Sequence, residues 1–236
     1  MKPLRLADLT WAEVKGYLEE RRDVLLPFGS VEEHGYHLPL STDGDVAVAI
    51  AEALSAETGV AVAPLVWYGV SNTTRAYPGT TMALFDSFKA YVRDILGSLR
   101  SSGFSVVYLL SGHLSSSQVV AIKEASREVE GLKAYFLDLR KLDFSDILDT
   151  EPYHACEAET SLMLYLHPEK VDMAKAVDEE IIEEKYAVQG LKKTKSGVFG
   201  APTKASRVKG EKIFRRIVEE FREVIEGRPK GHGLRG

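Results

Sequence analysis

Short apolar runs of strand type alternate along this chain with longer stretches of helical periodicity, and that alternation restricts the possible folds more than any other feature. The strand-like runs are residues 24–28, 60–67, 105–110 and 134–139. Between and before them lie amphipathic stretches. Residues 9–20 place Trp11, Val14 and Leu18 on one stripe, with Thr10 available as N-cap. Residues 45–57 end at Gly59, and two more helical patterns cover 86–101 and 115–130. Strands separated by helices of this length cannot pair as hairpins, so the pattern predicts an α/β fold with a mainly parallel sheet and helices on both faces. In such sheets the reactive groups gather beyond the carboxyl ends of the strands. Residues 68–84, an irregular stretch holding Ser71, Asn72, Thr73, Thr74 and the turn Tyr77-Pro78-Gly79-Thr80-Thr81, are expected to form a lid or substrate wall.

With 236 residues, 44% of them hydrophobic, the chain can bury one sizeable core, and no linker composition divides it. A single domain over 1–236 is expected, with the Gly-rich basic segment 228–236 as a flexible tail. The net charge of −5, with Lys and Glu interleaved, leaves no footprint for nucleic acid or an anionic membrane. There is no hydrophobic signal core and no apolar run long enough to span a bilayer, so a cytoplasmic protein is expected. A lone cysteine, Cys156, excludes an internal disulfide and fits a reducing compartment.

The first strand-like run ends in G-S-V-E-E-H-G-Y-H-L-P-L-S-T-D, a switch to polar residues that core packing does not explain. In an extended segment Glu32 and His34 share a face while Glu33 points the other way. With Asp43 they form a carboxylate–imidazole set suited to Zn²⁺, Mn²⁺ or Fe²⁺. A polar loop followed by a helix-capping Asp43 would read the same way. The third run leads directly into Ser111-Gly112-His113, which puts His113 at the same sheet edge. Further on, His154, Glu157 and Glu159 cluster at the start of an apolar helix. Those two carboxylates could equally complement the helix dipole, with His154 a hydrogen-bonded core residue.

Five blocks in order carry a family resemblance: G-S-V-E-E-H-G-Y-H-L-P-L-S-T-D, Y-P-G-T-T, S-G-H, H-A-C-E-A-E-T-S-L-M-L-Y-L-H-P and G-V-F-G-A-P-T. Together they resemble the creatininase family over roughly residues 5 to 225. The resemblance implies a three-layer α/β/α sandwich, a binuclear centre of divalent metal ions (Zn, Mn or Fe), homo-oligomeric assembly and hydrolysis of a C–N bond in a small cyclic amide or formamide. By the same resemblance Glu32, His34, Asp43 and His113 are metal ligands, with Asp43 bridging, and His154 is the acid/base; Glu157 is expected to orient it. The match has departures. Where one form of the family's histidine block carries a metal-binding glutamate, this chain has Ser115, so the centre is expected either to recruit Glu159, to rely on more water, or to hold its second ion weakly. Cys156 replaces a glycine and is expected to be a packed, inert thiol; His37 is expected to hydrogen-bond rather than ligate, and His167-Pro168 to stop a helix. Two other functions compete: a non-catalytic small-molecule binder with a degraded second metal site, and a metal-dependent phosphoesterase. The ligand blocks hold no Arg or Lys to grip a phosphate.

Overall fold

The computed structural model describes residues 1–180 and 194–227. The expected tail, 228–236, lies outside the described residues. Four parallel strands form one sheet: β1 (Asp23–Phe28), β2 (Ala61–Val62), β3 (Val106–Ser111) and β4 (Lys133–Leu137), in the order β2-β1-β3-β4. β1 pairs with β3 in register from Asp23↔Val106 to Phe28↔Ser111, so both central strands end at the same level. Among the described residues six α-helices accompany the sheet: α1 (Trp11–Glu20), α2 (Thr42–Thr58), α3 (Phe85–Ser102), α4 (Ser116–Arg127), α5 (Glu157–Leu166) and α6 (Arg207–Ile225).

Alternate strand residues enter two separate cores. Leu25, Tyr108 and Leu110 pack with α2, α5 and α6 through Ile50, Leu54, Met163, Ile213 and Ile217. Val24, Leu26, Phe28, Val107 and Leu109 pack with α3 and α4 through Phe88, Val92, Leu96 and Ile122. This period-two division on a sheet buried on both sides is what makes the fold three layers thick. α1 starts with a capping box, Thr10 accepting from Glu13 N–H while the Glu13 carboxylate accepts from Thr10 N–H.

The structure corrects several expected boundaries. β2 is two residues long instead of spanning 60–67, because Pro64 brings no N–H to the ladder; beyond it only a Phe28↔Val66 bridge continues the pairing. Pro27 is tolerated inside β1 for a related reason. Its carbonyl accepts from Val66 N–H on the β2 side, so its missing donor faces a strand that has already ended at Val62. Trp11 is 81% exposed and does not join the Val14–Leu18 stripe. α2 begins three residues earlier than expected, which places Asp43 inside its first turn and not at its N-cap, Ser41. The helix α6 was not anticipated from the sequence; it packs its buried face, Ile213, Ile217 and Phe221, beside α5 and α2. No helix among the described residues is long and apolar enough to cross a membrane.

Candidate metal centre

Glu32 and His34 follow the end of β1, and His113 follows the end of β3. Asp43 comes from the first turn of α2, His154 from the segment before α5, and Glu159 from the first turn of α5. Strands β1 and β3 stop together, and α2 starts directly above them. That approach depends on Gly112: a Cβ there would lie 2.1 Å from the Asp43 carbonyl oxygen. Glu32, His34, Asp43 and His113 are all buried. Glu159, with 23% of its side chain exposed, is the most open member and marks the side on which the cluster meets solvent.

Each imidazole has one nitrogen committed to an acceptor and the other turned toward carboxylates. His34 Nδ1 lies 3.1 Å from the Glu32 carbonyl, so it carries the proton, and its Nε2 faces Asp43 Oδ1 at 3.2 Å and Glu159 Oε2 at 3.9 Å. His113 Nε2 donates to the Val70 carbonyl at 3.1 Å, leaving Nδ1 between Glu32 Oε1 at 2.9 Å and Asp43 Oδ2 at 3.1 Å. His154 Nε2 donates to Glu33, to its carbonyl at 2.9 Å and its carboxylate at 3.1 Å, and Nδ1 looks toward Glu32 Oε1 at 3.8 Å. A neutral imidazole held this way aims a lone pair at a carboxylate. Such a contact is repulsive unless a cation stands between the two, either an extra proton or a metal ion. Asp43 offers one oxygen to His34 and the other to His113, so a cation at either imidazole would share this carboxylate.

The charges say the same. Burial pulls the His34 imidazole down, but Asp43, Glu159 and Glu32 outweigh it and push its pKa up to about 10. His113 is raised well above the usual imidazole range in the same way, with Glu32 and Asp43 overcoming burial. Burial raises Glu159, and the neighbouring Asp43 and Glu32 add to the rise against the pull of His34 and His154. Against burial, His113 holds the Glu32 carboxyl below the usual range, and His34 and His113 hold Asp43 well below it, so these two carboxylates stay charged and call for positive charge beside them. Among the described residues no Lys or Arg forms an ion pair with Glu32, Asp43 or Glu159. The donor set therefore suits divalent cations: Glu32, Asp43 and His113 converge tightly enough to hold one, as do His34, Asp43 and Glu159, and Glu32, His34 and His154 form a third such group.

Comparison with known proteins decides the family, since a creatininase family model, described as creatinine amidohydrolase, matches residues 7–225. The chain belongs to the creatininase family. It is 26% identical to a creatinine amidohydrolase of Pseudomonas putida across 95% of this chain and 96% of that protein. It is 28% identical to a mycofactocin precursor peptide peptidase of Mycolicibacterium smegmatis, across 89% and 87% respectively. Among solved structures, a mutant creatininase complexed with creatine superposes with a TM-score of 0.81 at 25% identity, covering 96% of this chain and 98% of that one. A putative creatinine amidohydrolase from Bacteroides fragilis gives 0.81 at 29% identity over the full length of both chains. The fold is thus the creatininase fold, and the chain is a hydrolase of that family.

Within this creatininase fold, five of the residues expected at a metal site, Glu32, His34, Asp43, His113 and Glu159, come together with His154. Glu157 does not. α5 begins at Glu157, so Glu157 and Glu159 diverge on the helix, and only Glu159 turns toward the cluster. Glu157 accepts from the N–H groups of Asp149 and Thr150, from the Thr150 hydroxyl and from Lys209. Burial raises its carboxyl, but Lys209, Thr150 and Asp149 together hold it below the usual range. It ties the 149–150 turn to α6, and the role expected of it, orienting His154, is taken by Glu33. The pairing of Glu33 with His154 spans 121 residues, so spacing along the chain gave no sign of it. A Glu157→Gln variant is therefore expected to melt at a lower temperature, with a loss on the order of 2 kcal/mol for a buried charge-assisted contact, while keeping its metal content and its turnover. Calorimetry beside elemental analysis checks this.

Other sequence readings resolve in place. Ser115 is the N-cap of α4 and donates its hydroxyl proton to the Val70 carbonyl at 2.8 Å, so it supplies no carboxylate-like ligand. Two supports went unrecognised in the sequence: Thr74 donates to Glu32 Oε2 at 2.7 Å and Ser30 to Asp43 Oδ2 at 2.6 Å. Burial pushes the Cys156 thiol up to about 12, which leaves it protonated and unreactive. His37 bonds Thr160 at 2.9 Å, and burial, then His34, lower it to about 4. His167 caps the end of α5. The 68–84 stretch, expected to form a lid or substrate wall, meets the segment after 193 through Tyr77, which donates to the Thr194 carbonyl, and Tyr36 donates to that of Lys195.

Proposed function

We propose that this protein is a metal-dependent amidohydrolase that cleaves a C–N bond of a small cyclic amide or formamide at a binuclear centre. The observation that supports this best is the arrangement around Asp43, whose two oxygens face two imidazoles that each have their far nitrogen fixed on a main-chain carbonyl. One ion would be held by Glu32, Asp43 and His113 and the other by His34, Asp43 and Glu159. Such ions, when bound, lower the pKa of water toward neutrality and polarise a carbonyl. Solved creatininases described as Zn–Zn and Mn types are consistent with either metal.

The remaining chemistry belongs to the chain itself. An amide nitrogen leaves poorly unless it is protonated, and His154 is the group placed to do this. Glu33 holds the Nε2 proton of His154 with two acceptors, so Nδ1 is the nitrogen that can take a proton and hand it to the departing nitrogen. Glu33 also accepts from Gly35 N–H at 3.0 Å, which fixes its own carboxylate. Phe199 packs against the His154 ring with centroids 5.8 Å apart and limits its rotation. Creatinine, a cyclic amide, and small formamides fit this reading; metal analysis followed by a panel of cyclic amides, formamides and phosphoesters tests it. Hydrolysis confined to phosphoesters, or metal-loaded protein inert on every amide, would overturn it.

Glu159 takes the place that Ser115 leaves without a carboxylate. A Glu159→Gln variant is expected to bind one ion about ten- to a hundredfold more weakly while the other step is unchanged. Titrating metal into the stripped variant reads both steps. We further propose a cytoplasmic homo-oligomer of single-domain subunits. Light scattering at micromolar concentration should show more than one chain per particle.

A further inference from the structure

His34 takes its fixed acceptor from Glu32 in its own loop, and His154 from Glu33, whose carboxylate Gly35 N–H fixes, but His113 depends on the carbonyl of Val70 at the start of the long irregular stretch. A loop carbonyl is a poor reference point unless the loop is itself anchored. Val70 is anchored at both its backbone atoms. Its N–H donates to Gln118 Oε1 at 2.8 Å, and its carbonyl accepts from Ser115 Oγ at 2.8 Å as well as from His113. Gln118 is fully buried on α4, and its Nε2 donates to the Gly29 carbonyl and to Ser111 Oγ, both at 3.1 Å. One amide therefore joins the end of β1, the end of β3 and the loop. The contact needs Gly69, where a Cβ would lie 2.0 Å from Gln118 Oε1. Ser111 continues the chain of bonds by donating to the His113 carbonyl at 2.5 Å.

We propose that Gln118, with Ser115, is a positioning residue for the metal centre: by anchoring Val70 it fixes His113 with its proton on Nε2 and its Nδ1 turned toward Glu32 and Asp43. This rests on the reading that Glu32, Asp43 and His113 hold a divalent ion. An apolar residue would pack as well inside α4, whose neighbouring buried positions are Val119, Ala121 and Ile122. What the amide adds is the location of one carbonyl oxygen. Partners outside the ligand set that set an imidazole's tautomer commonly change metal affinity by about ten- to a hundredfold.

The test uses the full chain stripped of metal and titrated with Zn²⁺ against a competing chelator, with melting temperatures measured in both forms. Gln118→Met keeps the side chain's length and removes its polar atoms. The expected result is a ten- to hundredfold weaker affinity in one of two binding steps, the other unchanged, and a smaller rise in melting temperature on adding Zn²⁺. A purely structural glutamine would lower the melting temperatures of stripped and loaded protein equally and leave both affinities within about twofold, which overturns the proposal. If Gln118→Met does not fold, Ser115→Ala, which removes the second donor to Val70, must weaken the same step; unchanged affinity there overturns it too. A wild-type protein that binds no Zn²⁺ would instead overturn the metal reading itself, and this inference with it.

Discussion

An Asp43→Asn enzyme is expected to lose both metal ions at once, where a change at His34, His113 or Glu159 should lose one. Asp43 is the shared member of two candidate ligand groups, with Oδ1 3.2 Å from His34 Nε2 and Oδ2 3.1 Å from His113 Nδ1. An asparagine keeps one carbonyl oxygen and replaces the other with an NH₂ that cannot ligate. It also removes a negative charge that both ions would share. The weakening should reach at least about a hundredfold at each ion, the upper end for a supporting group, because here a direct ligand is lost. Turnover should fall in proportion to metal content, and the far-ultraviolet circular dichroism should be unchanged. Two equivalents of metal retained at wild-type affinity would show that Asp43 bridges nothing.

Replacing His154 should have an effect as large but of a different kind. A His154→Gln enzyme should keep both ions and its KM and lose about 10²- to 10⁴-fold in kcat, the range for removing a positioned acid/base. The basis is positional: the ring is tethered through Nε2 to Glu33, its Nδ1 stands 3.8 Å from Glu32 Oε1, and it lies beside the His34 ring with centroids 4.5 Å apart. The same placement makes His154 part of a possible ligand group with Glu32 and His34. Metal content separates the two roles. If the variant loses an ion along with its activity, His154 is a ligand and the proton carrier must be sought elsewhere.

The sheet and most of the cluster were legible in the sequence because they depend on local patterns. Apolar runs marked β1 and β3, and the polar residues just beyond each run had to stand at the sheet edge, so Glu32, His34 and His113 could be placed before any coordinates. The choice between Glu157 and Glu159 could not be made that way. It depends on where α5 starts, and its N-cap, Cys156, makes no side-chain capping bond that would have announced the boundary. β2 was overestimated because its hydrophobicity continues past Pro64 while its ladder is interrupted there and resumes only at the Phe28↔Val66 bridge. The bond from Glu33 to His154 and that from Gln118 to Val70 join segments far apart in the chain, and no spacing rule reaches them. Hydrophobic periodicity reports which face a residue occupies, not which distant group will meet it there.

Each imidazole in the cluster donates an N–H to a main-chain oxygen, that of Glu32, Glu33 or Val70. Every amino acid brings the same carbonyl, so at position 70 it is the backbone that decides which nitrogen of His113 is free, while the Val70 side chain packs in the core. The exposed positions of the 68–84 stretch, among them Asn72, Thr73 and Arg75, can therefore diversify, while Gly69, the Val70 carbonyl and Thr74 keep Glu32 and His113 oriented. On such a loop, sequence change is tolerated on the solvent side and resisted at the few positions that hold Glu32 and His113 in place.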